Sequence, residues 1–266
     1  VRPGIGRVLV IAGSDSGGGA GIQADLKTIT ALGGYAATAI TALTAQNSLG
    51  VQGIRMIDPD FVDAQARAVL TDIGADAIKT GMLGSGALVE TVARLLDDWP
   101  NLPVVVDPVM IAKGGQDLLD EGGKDALRAL LIPRAALLTP NAPEATALTG
   151  LVVETTDDLR QAGEVLLKLG ARAVLLKGGH IAGPRVIDIL MTPEGETLFE
   201  GPRLETPHTH GTGCTLASAC ALGLAEGLAL DRTVARAWAY VAEAIRTAPG
   251  LGAGQGPLDH GWPVRR

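Results

Sequence analysis

His208-Thr209-His210-Gly211-Thr212-Gly213-Cys214-Thr215, followed by the apolar run from Leu216 to Ala225, is the stretch around which this chain is organised. The run is small and apolar on every side, which predicts a buried helix. Glycines just ahead of a helix let bare N–H groups converge on one point. That point also feels the positive end of the helix dipole, so it is an anion site. Cys214 falls in the first turn, where a thiol pKa tends to drop and a thiolate is expected. An anion cradle beside a proton acceptor suits phosphoryl or acyl transfer. The same residues also fit a glycine-rich loop entering a core helix with a buried cysteine, and this stretch alone does not separate the two.

A buried helix needs a sheet to lie on, and the rest of the chain supplies one. Val8 to Ala12 is a compact apolar run that reads as a buried strand, followed by the glycine loop from Gly13 to Gly21 and a helix over residues 22–32. The loop lacks both the Gly-Lys-Ser/Thr ending of a P-loop and the spacing of a dinucleotide fingerprint. Further strands are expected over 36–42, 76–81, 103–107, 135–139 and 173–177. Helices are expected over 58–72, 88–96, 125–131, 157–169 and 231–247, and a late hairpin over 186–191 and 197–201. No repeat, linker or low-complexity tract interrupts the alternation, so residues 1–266 read as a single α/β domain. Its central sheet would be mostly parallel, with helices on both faces. Ligands of such sheets bind beyond the C-terminal ends of the strands. Gly13, Gln46, Met82, Asp107, Asn141 and Lys177 all fall at those ends, where random loop polarity would scatter over both edges.

Composition narrows the partners. The chain has 266 residues, 47% of them hydrophobic, 3% aromatic, with a formal net charge of −7. Few aromatics leave little to stack on bases, and the acidic balance argues against a nucleic-acid partner. Cys214 and Cys220 are six residues apart on one expected helix, on different faces, so no disulfide is expected between them. No cysteine or histidine spacing is typical of zinc. The apolar run at Val8 is too short for a signal-peptide core, and none approaches the ~20 residues of a membrane span. A soluble cytoplasmic protein with a small-molecule substrate is expected.

Several residues admit two readings. Asn141-Ala142-Pro143-Glu144 is a helix-capping arrangement, and Asn141 and Glu144 also suit Mg²⁺, directly or through water. Asp107 forms a turn before Pro108 or ligates Mg²⁺ or water. Lys177 is a solvated strand-end charge or a neutraliser of phosphate charge. Asp25, one turn into a helix, favours the dipole by its place alone. His208 and His210 alternate along an extended segment and point apart, so they do not share a metal. The run from Gly252 to Pro257 is a frayed tail or a loop packed near a nucleotide.

A family resemblance runs through the chain in order. Ala12-Gly13-Ser14-Asp15, the stretch from Gly18 to Lys27, Thr41-Ala42-Leu43-Thr44-Ala45-Gln46-Asn47, Lys79-Thr80-Gly81-Met82-Leu83, Val106-Asp107-Pro108-Val109-Met110, Asn141-x-x-Glu144 and the stretch from His208 to Thr215 carry it. Together they resemble the hydroxymethylpyrimidine/phosphomethylpyrimidine kinases of thiamine biosynthesis, enzymes of the ribokinase-like fold. The resemblance implies ATP-dependent phosphorylation of 4-amino-5-hydroxymethyl-2-methylpyrimidine and then of its monophosphate. It implies that Gly13, Asp25, Gln46, Met82 and Val109 line the pyrimidine pocket. Lys177 would reach the ATP phosphates, and Asn141 and Glu144 would manage the Mg²⁺, with Asp107 near it. Gly211, Thr212 and Gly213 would form the anion hole, with Cys214 where most ribokinase-like enzymes carry an aspartate as base. The family also implies a homodimer. A pyridoxine or pyridoxal kinase on the same scaffold is the alternative enzyme, and a non-catalytic pyrimidine or nucleotide sensor the alternative class.

Overall fold

Alternate residues of the first strand face opposite cores. Leu9 and Ile11 point into one apolar cluster, while Val8, Val10 and Ala12 point into another. A strand buried on both faces belongs at the centre of a sheet covered on both sides. The computed structural model describes residues 4–111, 115 and 118–265. In chain order the elements are β1 (Arg7–Asp15), α1 (Gly21–Ala31), β2 (Tyr35–Asn47), β3 (Gly50–Met56), α2 (Pro59–Asp72), β4 (Ala77–Thr80), α3 (Gly86–Asp98), β5 (Val104–Val106), α4 (Glu121–Ala126), β6 (Leu137–Leu138), α5 (Ala142–Thr149), α6 (Thr156–Lys168), β7 (Val174–Leu176), β8 (Arg185–Thr192), β9 (Gly195–Pro202), α7 (Thr212–Ala225) and α8 (Leu230–Arg246).

Among the described residues nine strands form one sheet in the order β3-β2-β1-β4-β5-β6-β7-β8-β9. The six from β2 to β7 pair in parallel, and β3, β8 and β9 add antiparallel edges. One face carries α2, α3, α5 and α6, through residues such as Val62, Leu88, Leu148 and Leu159. The other carries α1, α7 and α8, through Ile29, Leu216, Cys220 and Val234. The chain leaves β1 first toward β2 and later toward β4, so the strand order switches direction at β1. Ligands of open α/β sheets gather at such a switch.

The expected mostly parallel sheet with helices on both faces is what forms, and two details differ. The second strand runs on to Asn47 instead of stopping at residue 42, so Gln46 lies inside it. Its last residues pair with β3, which the sequence did not announce because Gly50 and Gly53 interrupt any strand pattern. The helix expected over residues 125–131 begins earlier, capped by Asp120, and passes into a π turn over Leu127–Leu131.

The helix α7 is buried on every side from Thr215 to Gly223, as its small residues require. It packs closely on α8, and a Cβ at Gly223 would lie 2.7 Å from the side chain of buried Thr233. A threonine locked in the core cannot swing away. Gly223→Ala should therefore destabilise the protein by about 1–3 kcal/mol, as overpacking does. An exposed helical glycine would instead gain stability on this change. Urea unfolding of the variant checks the sign.

Candidate active site

Two glycine loops interlock at the C-terminal edge of the sheet. Asp15 closes β1 and is buried. Its Oδ1 accepts the Gly17 N–H at 2.8 Å, and its Oδ2 accepts those of Gly19 at 3.0 Å and Ala20 at 2.8 Å. His210 Nε2 reaches the same Oδ2 at 2.9 Å. Burial alone would raise the Asp15 pKa, but the His210 contact and the backbone N–H groups outweigh it and hold the carboxyl below its usual range. Gly211 then lies against Gly19, so closely that a Cβ on Gly211 would stand 1.8 Å from the Gly19 carbonyl oxygen. Gly211 also takes φ +86°, the left-handed conformation that favours glycine. From there α7 starts, with Thr212 Oγ1 bonded to the Thr209 carbonyl at 2.8 Å. The N–H groups of Gly213 and Cys214 fall in the first turn, where a helix offers them no acceptor.

Beneath these loops runs a cleft of about 1130 Å³. That is room for two small ligands side by side. Its lining follows the strand order: Gln46 from β2, Gly13 after the first half of β1, Met82 beyond β4, Asp107 and Val109 beyond β5, Asn141 and Glu144 beyond β6, and Lys177 beyond β7. Gly211, Thr212, Gly213 and Cys214 face them from the other loop. Past Lys177 the wall continues through Val186, Leu204, Trp238, Ala242 and Arg246.

The charged centre is compact. Lys177 Nζ lies 3.1 Å from Asp107 Oδ1 and 3.7 Å from Glu144 Oε2. Thr139 Oγ1 donates to the same Asp107 Oδ1 at 3.0 Å, while Asp107 Oδ2 is buried without a partner. Asn141 and Glu144 form a reciprocal capping box at the start of α5: Asn141 N–H donates to Glu144 Oε2 at 2.8 Å and Glu144 N–H to Asn141 Oδ1 at 2.9 Å. The cap thus engages the Asn141 oxygen and leaves its amide nitrogen as a donor for a ligand. Burial pushes the Glu144 carboxyl up to about 7, Lys177 opposing and Asp107 adding to the rise. Burial would lower Lys177, but Asp107 and Glu144 outweigh it, and the ammonium stays charged.

Asp25 does not line the cleft, contrary to expectation. It is fully buried below the floor, where Lys79 Nζ binds its two oxygens at 3.0 and 3.1 Å and Ser218 Oγ donates to it at 2.6 Å. The expected thiolate at Cys214 is also corrected. Burial pushes the thiol up to about 12, and Asp25 and Asp107 add to the rise against Lys79, so the helix N-terminus does not ionise it. The run from Gly252 to Pro257 is a packed loop on the Gln46 side: Gln255 N–H donates to the Ser48 carbonyl at 2.9 Å and Gly256 N–H to His208 Nδ1 at 3.2 Å. His208 and His210 do point apart, one to this loop and one to Asp15.

Three residues of the site were given no role from the sequence, although Lys79 lies in one motif and His210 in another. Lys79 stands under the floor; a lysine inside a four-residue strand buried throughout was the available signal. His210 bridges Asp15 and Gln46. Asp188 on β8 accepts the Gly178 N–H at 2.8 Å beside Lys177, and burial pushes its carboxyl up to about 6. Among the described residues no group of three or more His, Cys, Asp or Glu side chains could hold a metal by itself. No helix among them is long and apolar enough to cross a membrane.

Comparison with known proteins follows the same lines. Residues 15–259 match the profile of the family described as phosphomethylpyrimidine kinase. The hydroxymethylpyrimidine/phosphomethylpyrimidine kinase of Streptomyces coelicolor is 51% identical over 257 residues, 97% of this chain and 95% of that protein. The thiamine biosynthesis bifunctional protein ThiED of Geobacter sulfurreducens is 51% identical over 255 residues, and this chain, 96% of it aligned, spans 52% of that longer protein. Among solved structures, the ADP complex of Bacillus subtilis pyridoxal kinase superposes with a TM-score of 0.91 at 34% identity, covering 98% of this chain and 100% of that one.

The raised Glu144 pKa has a consequence for stability. Between its ordinary value of 4.5 and its folded value of about 7, the native state holds a proton that the unfolded chain has released. Stability of the ligand-free protein should fall as pH rises through that window and level off above it, by up to about 3 kcal/mol for this group. Asp188, also raised, adds a fall of the same sign. Urea unfolding from pH 4.5 to 7.5 should show a shallower fall in Glu144→Gln than in wild type. A slope that the substitution leaves unchanged contradicts the assignment.

Proposed function

The chain belongs to the phosphomethylpyrimidine kinase family, and from that premise we propose that it phosphorylates 4-amino-5-hydroxymethyl-2-methylpyrimidine from ATP, and then the monophosphate, in thiamine biosynthesis. The observation that carries the reading is one cleft holding the Gly211–Gly213 loop, Lys177 and the Asp107–Glu144 pair, with Gln46, Gly13, Met82 and Val109 beside them. The first set suits polyphosphate, and the second suits a flat ring with a few polar edges.

Phosphoryl transfer passes through a loose transition state, so positioning and neutralisation of charge dominate. Lys177 is a permanent cation at the centre of the cleft and meets the transferring phosphate. The first-turn N–H groups of Gly213 and Cys214, presented by the Gly211–Gly213 loop, meet its equatorial oxygens at no cost of reorganisation. The Asn141 amide donates to the nucleotide. Mg²⁺ fits the donor set present: Asp107 Oδ2 is an orphaned buried oxygen, Glu144 lies close by, and this ion takes one or two carboxylates with phosphates and water. Bound there, it would neutralise charge on the nucleotide phosphates. Cys214 enters as a neutral thiol, so it orients the alcohol by hydrogen bonding and does not stand ready as a base. Asp25 and Lys79 support the floor on which Cys214 sits.

A pyridoxal kinase reading is kept alive by the likeness to the Bacillus subtilis enzyme. A coupled ATPase assay with each alcohol separates the two, and turnover with neither points to a sensor. We place the enzyme in the cytoplasm, acting as one kinase domain over its length, and as a homodimer. Exposed Leu43, Leu49 and Met56 on the β2–β3 hairpin support a dimer. Light scattering that gives a monomer at micromolar concentration counts against it.

With a neutral thiol, Cys214→Ala should lower kcat by about 10- to 10²-fold, at or below the ~10²–10⁴ of a positioned base. The KM for ATP should stay within about twofold of wild type. No thiol ionisation should show in the wild-type pH–rate profile near neutrality. A loss beyond about 10³-fold that Cys214→Asp largely restores would make Cys214 the base after all.

A further inference from the structure

Two neighbours fix the Gln46 amide from different sides. His210 Nε2 lies 2.9 Å from Asp15 Oδ2 and 3.2 Å from Gln46 Nε2. An ionised carboxylate only accepts, so His210 Nε2 carries a hydrogen whether the ring is neutral or charged. That N–H then faces an amide NH2, which is also a donor. On the second side, Thr44 Oγ1 lies 2.9 Å from the Ser14 carbonyl oxygen and 3.2 Å from Gln46 Oε1. The carbonyl only accepts, so it takes the single hydroxyl proton, and Thr44 Oγ1 is left as an acceptor facing an acceptor. Turning the amide through half a turn relieves both: Nε2 then donates to Thr44 Oγ1, and Oε1 shares the single His210 N–H with Asp15 Oδ2 in a three-centre bond.

We propose that His210, held by Asp15, and Thr44, held by the Ser14 carbonyl, set the polarity of the Gln46 amide, with its oxygen toward His210 and its NH2 toward Thr44, and so decide which donor–acceptor pattern the cleft presents to the ring of the alcohol. This rests on Gln46 belonging to the alcohol site. His210 and Thr44 are positioning residues here: they act on the ring through Gln46. Each occupies one site on the amide. One lone pair on Oε1 and one N–H on Nε2 remain for a ligand. A ring that carries an amine beside an unprotonated ring nitrogen satisfies both. A ring without the amine leaves the remaining lone pair of the Gln46 oxygen unfilled in a half-buried site, and such a loss is costly.

The polarity is tied to the phosphate loop as well. His210 directly precedes Gly211, and Gly19 lies so close beneath its ring that a Cβ there would stand 2.5 Å from His210 Cδ2. Asp15 keeps three backbone N–H partners without His210, so the first glycine loop survives its removal. Thr44→Val gives up the hydroxyl's bonds to the Ser14 carbonyl and to the amide, while the Asp15 contacts of the first glycine loop and the Gly211 loop stay in place.

The test compares kcat/KM for 4-amino-5-hydroxymethyl-2-methylpyrimidine with that for the analogue bearing methyl in place of the amine. Wild type should prefer the amine by at least about 10²-fold. His210→Ala and Thr44→Val should each cut that preference about tenfold or more, with the KM for ATP within about twofold of wild type. A merely structural role would lower both alcohols together and leave the ratio alone. The inference is overturned if both variants keep the wild-type ratio while Gln46→Ala collapses it. If Gln46→Ala keeps the ratio too, Gln46 is not in the alcohol site, and the reading beneath the inference fails with it.

Discussion

The carbonyl of Gly19 lies against Gly211, and the cleft depends on that approach. The two residues are almost 200 positions apart, and no side chain fits between them. Asp15 makes the approach possible by gathering the N–H groups of one loop and the imidazole of the other on a single buried carboxylate. Without that carboxylate the buried Gly19 N–H would be left unpaired and the Gly17 and Ala20 N–H groups would lose their acceptor. With it, the start of α7 is aimed across the sheet edge at Lys177 and Asp107.

Charge is distributed in the same spirit. Lys79 and Asp25 form a fully buried pair that joins β4 to α1, and Ser218 ties α7 to it. A buried pair is poor evidence of net stability, because desolvation offsets most of the Coulomb gain. Its geometric effect is clearer: it fixes the three elements that carry Lys79, the first glycine loop and Cys214. The cleft above is less settled. Burial holds the Glu144 carboxyl well above the usual carboxylate range, and Asp107 Oδ2 lacks a partner. Both are features that a cation between these acids, as proposed for Mg²⁺, would satisfy.

Pyridoxal and pyrimidine kinases share this scaffold, and the shared scaffold does not choose between their rings. The phosphate half of the cleft answers to a polyphosphate whatever the alcohol. In the proposed reading, selection falls to the few polar groups around Gln46, and there to the direction in which its amide points.

The sequence by itself determined the alternation of strands and helices, the mostly parallel sheet and the edge at which the polar residues gather. Periodicity, glycine punctuation and capping are local, and the Asn141–Glu144 box is complete within four residues. Family motifs carried the activity, since whole stretches match in order. The fold decided the rest, because it depends on residues far apart and on distance from water. Asp25 could be read as a pocket residue until Lys79, 54 positions on, took both its oxygens. Cys214 could be read as a thiolate because the helix dipole is visible in the sequence, while the burial that overrides it is not. β3 formed despite its glycines because β2 offered an open edge, and His210 acquired its partners only when the two loops met. Local pattern fixes which way each segment runs; desolvation and long-range pairing, which fix what a side chain does there, exist only once the chain has closed.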